Sequence, residues 1–141
     1  MVDKFWVVIM DEILKFRKWD RQSKKMNKVE VLDLRPGQTY TDDPIIMQYT
    51  GLKDANGKDI YEGDILCLPT HYRIIMSNVD RWVDEFLEVK YSSLFGGFIA
   101  LPSEKFLSKY LFDGFDENGF YHKYPKIVGN IYQNSELIDY V

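Results

Sequence analysis

IIMQYTGLKDANGKDIYEGDIL, residues 45–66, reads as a complete β-hairpin followed by a break into a further strand. A β-prone run leads to Asn56-Gly57, and a second β-prone run leads away from it. Asn and Gly both tolerate positive φ, so the pair suits the tight turn whose twist matches its flanking strands. Lys53, Asp54, Lys58 and Asp59 surround the pair with the polar residues of a solvent-facing tip. Gly63-Asp64 then releases the chain into an apolar run over 65–68, and Pro69 is expected to stop that strand or send it to an edge.

The same patterns extend outward. Residues 13–19 alternate Leu14 and Phe16 with Lys15 and Arg17, the period of a half-buried strand. Residues 20–25 form a polar turn, and 29–34 alternate again as the returning strand, closed by Pro36-Gly37. Residues 70–84 are the least patterned, with a short strand over 72–76 and a loop over 77–80. Alternation returns at 86–91, Gly96-Gly97 marks a turn or bulge, and 98–101 form the next strand. After Ser103, a good N-cap, Phe106, Leu107, Tyr110 and Leu111 recur at helical spacing, which predicts one short helix. Residues 113–119 are turn-rich, 126–132 read as a last strand, and 134–138 as a short terminal turn of helix. The predicted class is mainly β (α+β): a small, strongly bent sheet or barrel with one short helix in the C-terminal half.

Composition agrees. Ten Tyr, nine Phe and three Trp raise the aromatic content to 16%, which favours half-buried pleated surfaces. A chain of 141 residues fits a single domain large enough to stand without disulfides. Cys67 is alone, so it forms no intrachain disulfide; within an apolar run it reads as a small buried hydrophobe, and a reducing compartment suits it. The apolar run FWVVIM spans only 5–10, preceded by Asp3-Lys4 and followed by Asp11-Glu12, unlike a signal peptide. A cytoplasmic protein without a membrane span is the expectation.

Charge is uneven. Residues 13–28 hold seven basic residues and one acid, whereas the whole chain carries a net charge of −4. Basic residues interleaved with aromatics suit single-stranded nucleic acid, where charge tracks the backbone and rings stack on bases. Lys15, Arg17, Lys18 and Trp19 are therefore the candidate interaction surface. The competing reading makes Lys15 and Arg17 the solvated face of a strand, paired with the acidic remainder of the chain.

No catalytic or metal-binding pattern emerges. His71 and His122 are the only histidines, and neither belongs to a recognisable motif. Residues 113–119, DGFDENG, lack the ligand alternation of a calcium loop. Glu62 and Asp64 flank Gly63 and read as caps of backbone N–H groups rather than an acid–base pair. There is no phosphate loop and no dinucleotide fingerprint. No catalytic residue, metal or cofactor is expected, and the chain reads as a non-enzymatic binding or interaction module.

Three blocks carry a resemblance. ILKFRKWDRQSKKM (13–26), IMQYTGLKDANGKDIYEGDIL (46–66) and IVGNIYQNSELI (127–138) resemble the signature blocks of the YopX family, whose members are largely encoded by bacteriophages and prophages. Ser135 stands where the last block usually has Pro. The resemblance implies a mostly β fold containing a small Src-homology-3-like barrel with additional strands. It implies no activity and supplies no catalytic residues. Relative to the family, 69–84 look expanded into a specific loop. The usual start lies just before the first block, so Met10 is a candidate initiator and 1–12 a candidate extension preceding one domain over 13–141. The expected setting is the host bacterial cytoplasm. A phage or host protein is expected as the partner ahead of nucleic acid, and a homo-oligomer is open.

Overall fold

A computed structural model describes residues 15–29 and 45–138; the extension at 1–12 and most of the strand expected at 29–34 lie outside them. The hairpin that decides the fold is present. β3 (Ile45–Lys53) runs into β4 (Asp59–Tyr61), with Tyr49 opposite Tyr61 and Lys53 opposite Asp59. The tip differs from the expected two-residue turn, because only Gly57 adopts a left-handed φ, at +77°. The Asp54 carboxylate organises a wider turn instead: Oδ1 accepts the N–H groups of Asn56 at 2.9 Å and Lys58 at 2.8 Å. Its Oδ2 accepts the N–H of Ile127 at 2.9 Å, which clamps the tip to a segment 73 residues away. A buried carboxylate needs such donors, and three backbone groups supply them.

Ahead of the hairpin lies β1 (Phe16–Asp20), and its return strand β2 (Lys25–Val29) starts at the lysine expected to close the turn. Asp20 shortens the connection. Its Oδ1 accepts from Gln22 and Ser23, and its carbonyl oxygen accepts from Lys24, which sits at φ +55°. The first sheet has the order β2-β1-β3-β4, all antiparallel.

The second sheet is built on two long strands, β5 (Asp64–Ile74) and β6 (Val79–Ser92). The region expected to be a loop over 69–84 is thus a hairpin with its tip at 75–78. The other strands are β7 (Gly97–Leu101), β8 (Lys105–Phe106), β9 (Gly114–Phe115), β10 (Tyr121–His122) and β11 (Lys126–Asn130). Their order is β8-β7-β6-β5-β10-β9, with β11 beside β5. Both sheets are antiparallel and curled.

Pro69 neither ends β5 nor lies on an edge. β11 pairs with residues 64–67 and β10 with 70–71, so Pro69 falls at the gap between them. Its carbonyl accepts the N–H of Lys123 at 3.0 Å, so its missing donor points at the break, where no ladder bond is required.

The expected helix after Ser103 is also absent. Residues 105–106 pair with β7, and only Leu107–Tyr110 form a single 3-10 turn. Ser103 serves the preceding hairpin instead: its Oγ donates to the Ala100 carbonyl and accepts the Tyr110 hydroxyl at 2.6 Å. Leu107 alone of that turn is buried, so one anchor in the core replaces a helical stripe. Residues Ser135–Leu137 form a second 3-10 turn, as the terminal segment led one to expect.

The core is the face of β5 and β6 that carries Leu66, Leu68, Leu87 and Val89, joined by Ile60, Ala100 and Leu107. Side chains alternate across a strand, so this face continues as Thr70 and Tyr72, opposite Val83 and Arg81. The opposite face carries Cys67, His71 and Trp82.

Candidate functional site

Beyond Leu68 the core face of the second sheet loses its cover and opens into a groove of about 720 Å³. Leu68, Thr70, Tyr72 and Glu85 form its floor. One wall is the 3-10 turn with Phe112, and the other is the β9–β10 loop with Phe120. His122 closes one end, almost wholly buried, with its ring 4.3 Å from that of Phe112. Lys105 and Glu117 pair at 3.3 Å and link the two walls across the mouth.

The β9–β10 loop repeats the chemistry of the first hairpin tip. Asp116-Glu117-Asn118-Gly119-Phe120 matches Asp54-Ala55-Asn56-Gly57-Lys58 at its Asp, Asn and Gly. Asp116 Oδ1 accepts from Asn118 and Phe120 as Asp54 does from Asn56 and Lys58, and Gly119 takes φ +82° where Gly57 takes +77°. The stretch that superficially resembled a calcium loop is a carboxylate-capped turn that holds Phe120 against the groove.

On the groove floor the Tyr72 hydroxyl donates to Glu85, and that bond, with burial, pushes the phenol up to about 12. Phe120 packs on Tyr72 with ring centres 4.7 Å apart. The groove thus offers aromatic walls, a neutral phenol, a carboxylate and two lysines at the rim. Such mixed linings orient a ligand through a few polar groups set in apolar surface.

The reverse face holds a row of four rings, one on each of four adjacent strands. Trp82 pairs with His71, His71 with Tyr121, and Tyr121 with Phe115. Trp82 is 50% exposed and Phe115 70%. His71 stacks on Trp82 at 4.9 Å and meets Asp80 at 2.5 Å, and Lys123 lies 5.1 Å from the Trp82 ring centre. The two histidines are neighbours in the ladder yet project to opposite faces, so the fold does not assemble them into one site. Cys67 is buried, and burial together with Asp84 pushes its thiol up, away from reactivity.

The four residues singled out for interaction separate into two groups. Arg17 turns inward and pairs with Asp64 at 2.8 Å, donates to the Glu62 carbonyl at 3.2 Å, and lies 4.9 Å from the Tyr61 ring centre. Asp64 also accepts the Tyr61 N–H at 2.8 Å, the capping role expected for it. Burial raises the Asp64 pKa despite Arg17 and the Tyr61 N–H, which both lower it. Trp19 is buried and stacks on Tyr132, with centroids 5.7 Å apart. Lys15 pairs with Asp59 at 3.4 Å. Of the four, Lys18 alone is exposed.

The groove was missed in the sequence because its residues come from segments 68–85 and 105–122, read as loop and helix. The signal was present: residues 66, 68, 70 and 72 share one face of a single strand.

The family model described as "YopX protein" matches residues 31–139. The chain belongs to the YopX family. The YopX match spans the groove and both Asp-x-Asn-Gly turns, while Lys15, Arg17, Lys18 and Trp19 lie ahead of it, as does the block at 13–26. This YopX-family chain is also similar to protein EF1440 from Enterococcus faecalis, seen in a crystal structure. The two are 27% identical with a TM-score of 0.55, over 90% of this chain and 99% of the other. No curated protein matches the chain.

Proposed function

We propose that this YopX-family chain is a non-enzymatic binding protein of phage origin that acts in the bacterial cytoplasm. It is one domain over 13–141, built on a Src-homology-3-like barrel, and receives an extended segment of a partner protein in the groove above Leu68. The observation that carries the reading is the combination of Phe112 and Phe120 in the walls with Tyr72 and Glu85 on the floor. Aromatic anchors in a desolvated cleft dominate binding energy, and a few polar groups fix register. The separation of His71 from His122, and the burial of Cys67, support the absence of chemistry from this reading. No helix among the described residues is long and apolar enough to cross a membrane.

The test is selection of binding peptides from a displayed library, followed by anisotropy titration. Phe112→Ala and Phe120→Ala are expected to weaken the selected peptides by about tenfold or more each, the loss of about 1.4 kcal/mol. Lys18→Glu is expected to leave them unchanged. Peptides that bind all variants equally would place recognition elsewhere.

A second reading, binding of single-stranded nucleic acid, draws support from the row Trp82, His71, Tyr121 and Phe115 with Lys123 beside it. It draws less from 13–28, where Arg17 and Trp19 face inward. Anisotropy of labelled single strands that falls steeply with salt, and is lost in Trp82→Ala, would favour it.

A further inference from the structure

β6 is paired on both sides only in its second part. β5 covers it from Val79 onward, but β7 begins at Glu88, opposite Leu101. Residues 79–87 therefore present a free strand edge among the described residues. Beyond β10, residues 72–74 and 79–81 project as a two-stranded arm, ending in Ile75 and Met76, which are 93% and 95% exposed. A two-stranded ribbon is marginal alone, and an open edge nine residues long recruits another strand.

We propose that this edge pairs with the same edge of a second copy of the chain, antiparallel, about a dyad at Val83. In such a pairing residues of like parity stand opposite, so the dyad passes through a residue. Centred on Val83, Val79 meets Leu87 of the second copy and Arg81 meets Glu85. Trp82, whose indole N–H is a donor, meets Asp84. No like charges stand opposite. Centred on Trp82, Asp80 meets Asp84; centred on Asp84, that carboxylate meets itself, and Asp80 meets Glu88. Directly opposed like charges destabilise an antiparallel pair, whereas opposite charges stabilise it.

Val83 is also the midpoint of 79–87, so the charge-matched register uses the whole free edge and stops where β7 begins. Among the described residues Arg81 makes no ion pair, and Glu85 engages Tyr72 through Oε1 alone, leaving its second oxygen for a partner. The charges on this edge deter mismatched pairing and select one partner in one register. The second sheets of the two copies become continuous, and each arm gains a third strand.

The test is the oligomeric mass of the full chain by light scattering after gel filtration, at several concentrations. Twice the monomer mass is expected. Arg81→Glu and Glu85→Arg should each weaken dimerisation by tenfold or more, and the two together should restore it, since the pair is exchanged across the dyad. Val83→Cys should cross-link to its own copy with a short bis-thiol reagent, whereas Leu94→Cys, 84% exposed but off the edge, should not. A monomer at every concentration, or a dimer indifferent to both charge reversals, would overturn the proposal.

Discussion

Truncating Arg17 to alanine would expose what holds the first sheet to the second. The Arg17 side chain is 12% exposed and its partner Asp64 only 2%. Removing one partner of a buried ion pair costs about 3–5 kcal/mol, because the other charge stays behind without compensation. Two features place R17A near the lower end. Asp64 keeps the Tyr61 N–H as a donor, and the Nε of Arg17 is itself buried without an acceptor, so its removal relieves one cost. About 3 kcal/mol at neutral pH is expected. The pH dependence identifies the cause. Burial already lifts the Asp64 carboxyl above its ordinary 3.8, and Arg17 is the largest influence opposing it. Without Arg17 the carboxyl rises further. In either protein the folded chain then binds this proton more tightly than the unfolded chain. Stability from this group is full at acid pH and is lost as pH climbs from the ordinary value through the folded one. That window extends higher in R17A, so the gap between the two proteins should be small in acid, widen with pH and then level off. Urea unfolding followed by tryptophan fluorescence across a pH series measures it. A gap below about 1 kcal/mol at neutral pH, or one that does not change with pH, would refute the reasoning. The second result would assign Arg17 to packing on Tyr61 instead.

Other consequences follow from single geometric facts. Gly57→Ala forces alanine to φ +77° with nothing within 4 Å, and should cost about 1–2 kcal/mol in chemical unfolding. Gly63→Ala, at φ +88° with the Met47 sulfur 3.1 Å from the new methyl, should cost more; equal losses would show that Met47 yields freely. Tyr72 should ionise near 12 rather than 10, so Tyr72→Phe should remove one late-titrating tyrosine from the tyrosinate absorbance curve. Because the folded pKa is the higher one, the stability linked to this proton is whole below pH 10 and lost as pH rises through 12. Titration of Tyr72 with the other tyrosines would remove Glu85 from its surroundings.

What was legible in the sequence was local. Residues 45–66 announced their strands and their glycine turns because alternation and turn chemistry act over a few residues. The tip was misread at Asn56 because the deciding partner, Asp54, is buried by contact with Ile127, far along the chain. Pro69 was misread for the same reason. Its meaning depends on where β10 and β11 separate, which no pattern near residue 69 encodes. The helix over 103–111 had the right spacing, but pairing of Lys105 and Phe106 with β7 used the residues a first turn would need. Arg17 and Trp19 looked like an exposed basic-aromatic strip. Their interior places depend on Asp64 and Tyr132, which lie 47 and 113 residues later.

Groove and free edge have one origin, the length of β5 and β6. Both strands outrun their neighbours: β7 leaves β6 bare before Glu88, and the 3-10 turn leaves the core face bare beyond Leu68. Glu85 belongs to both features, on the groove floor through Tyr72 and on the edge opposite Arg81 of the proposed second copy. A guanidinium brought to Glu85 draws its carboxylate away from the phenol. Pairing at the edge should therefore lower the Tyr72 pKa from about 12 toward its ordinary 10. A phenol whose ionisation shifts with protein concentration would tie the two features together. One that ignores concentration, in a protein shown to dimerise, would place the dyad away from Val83.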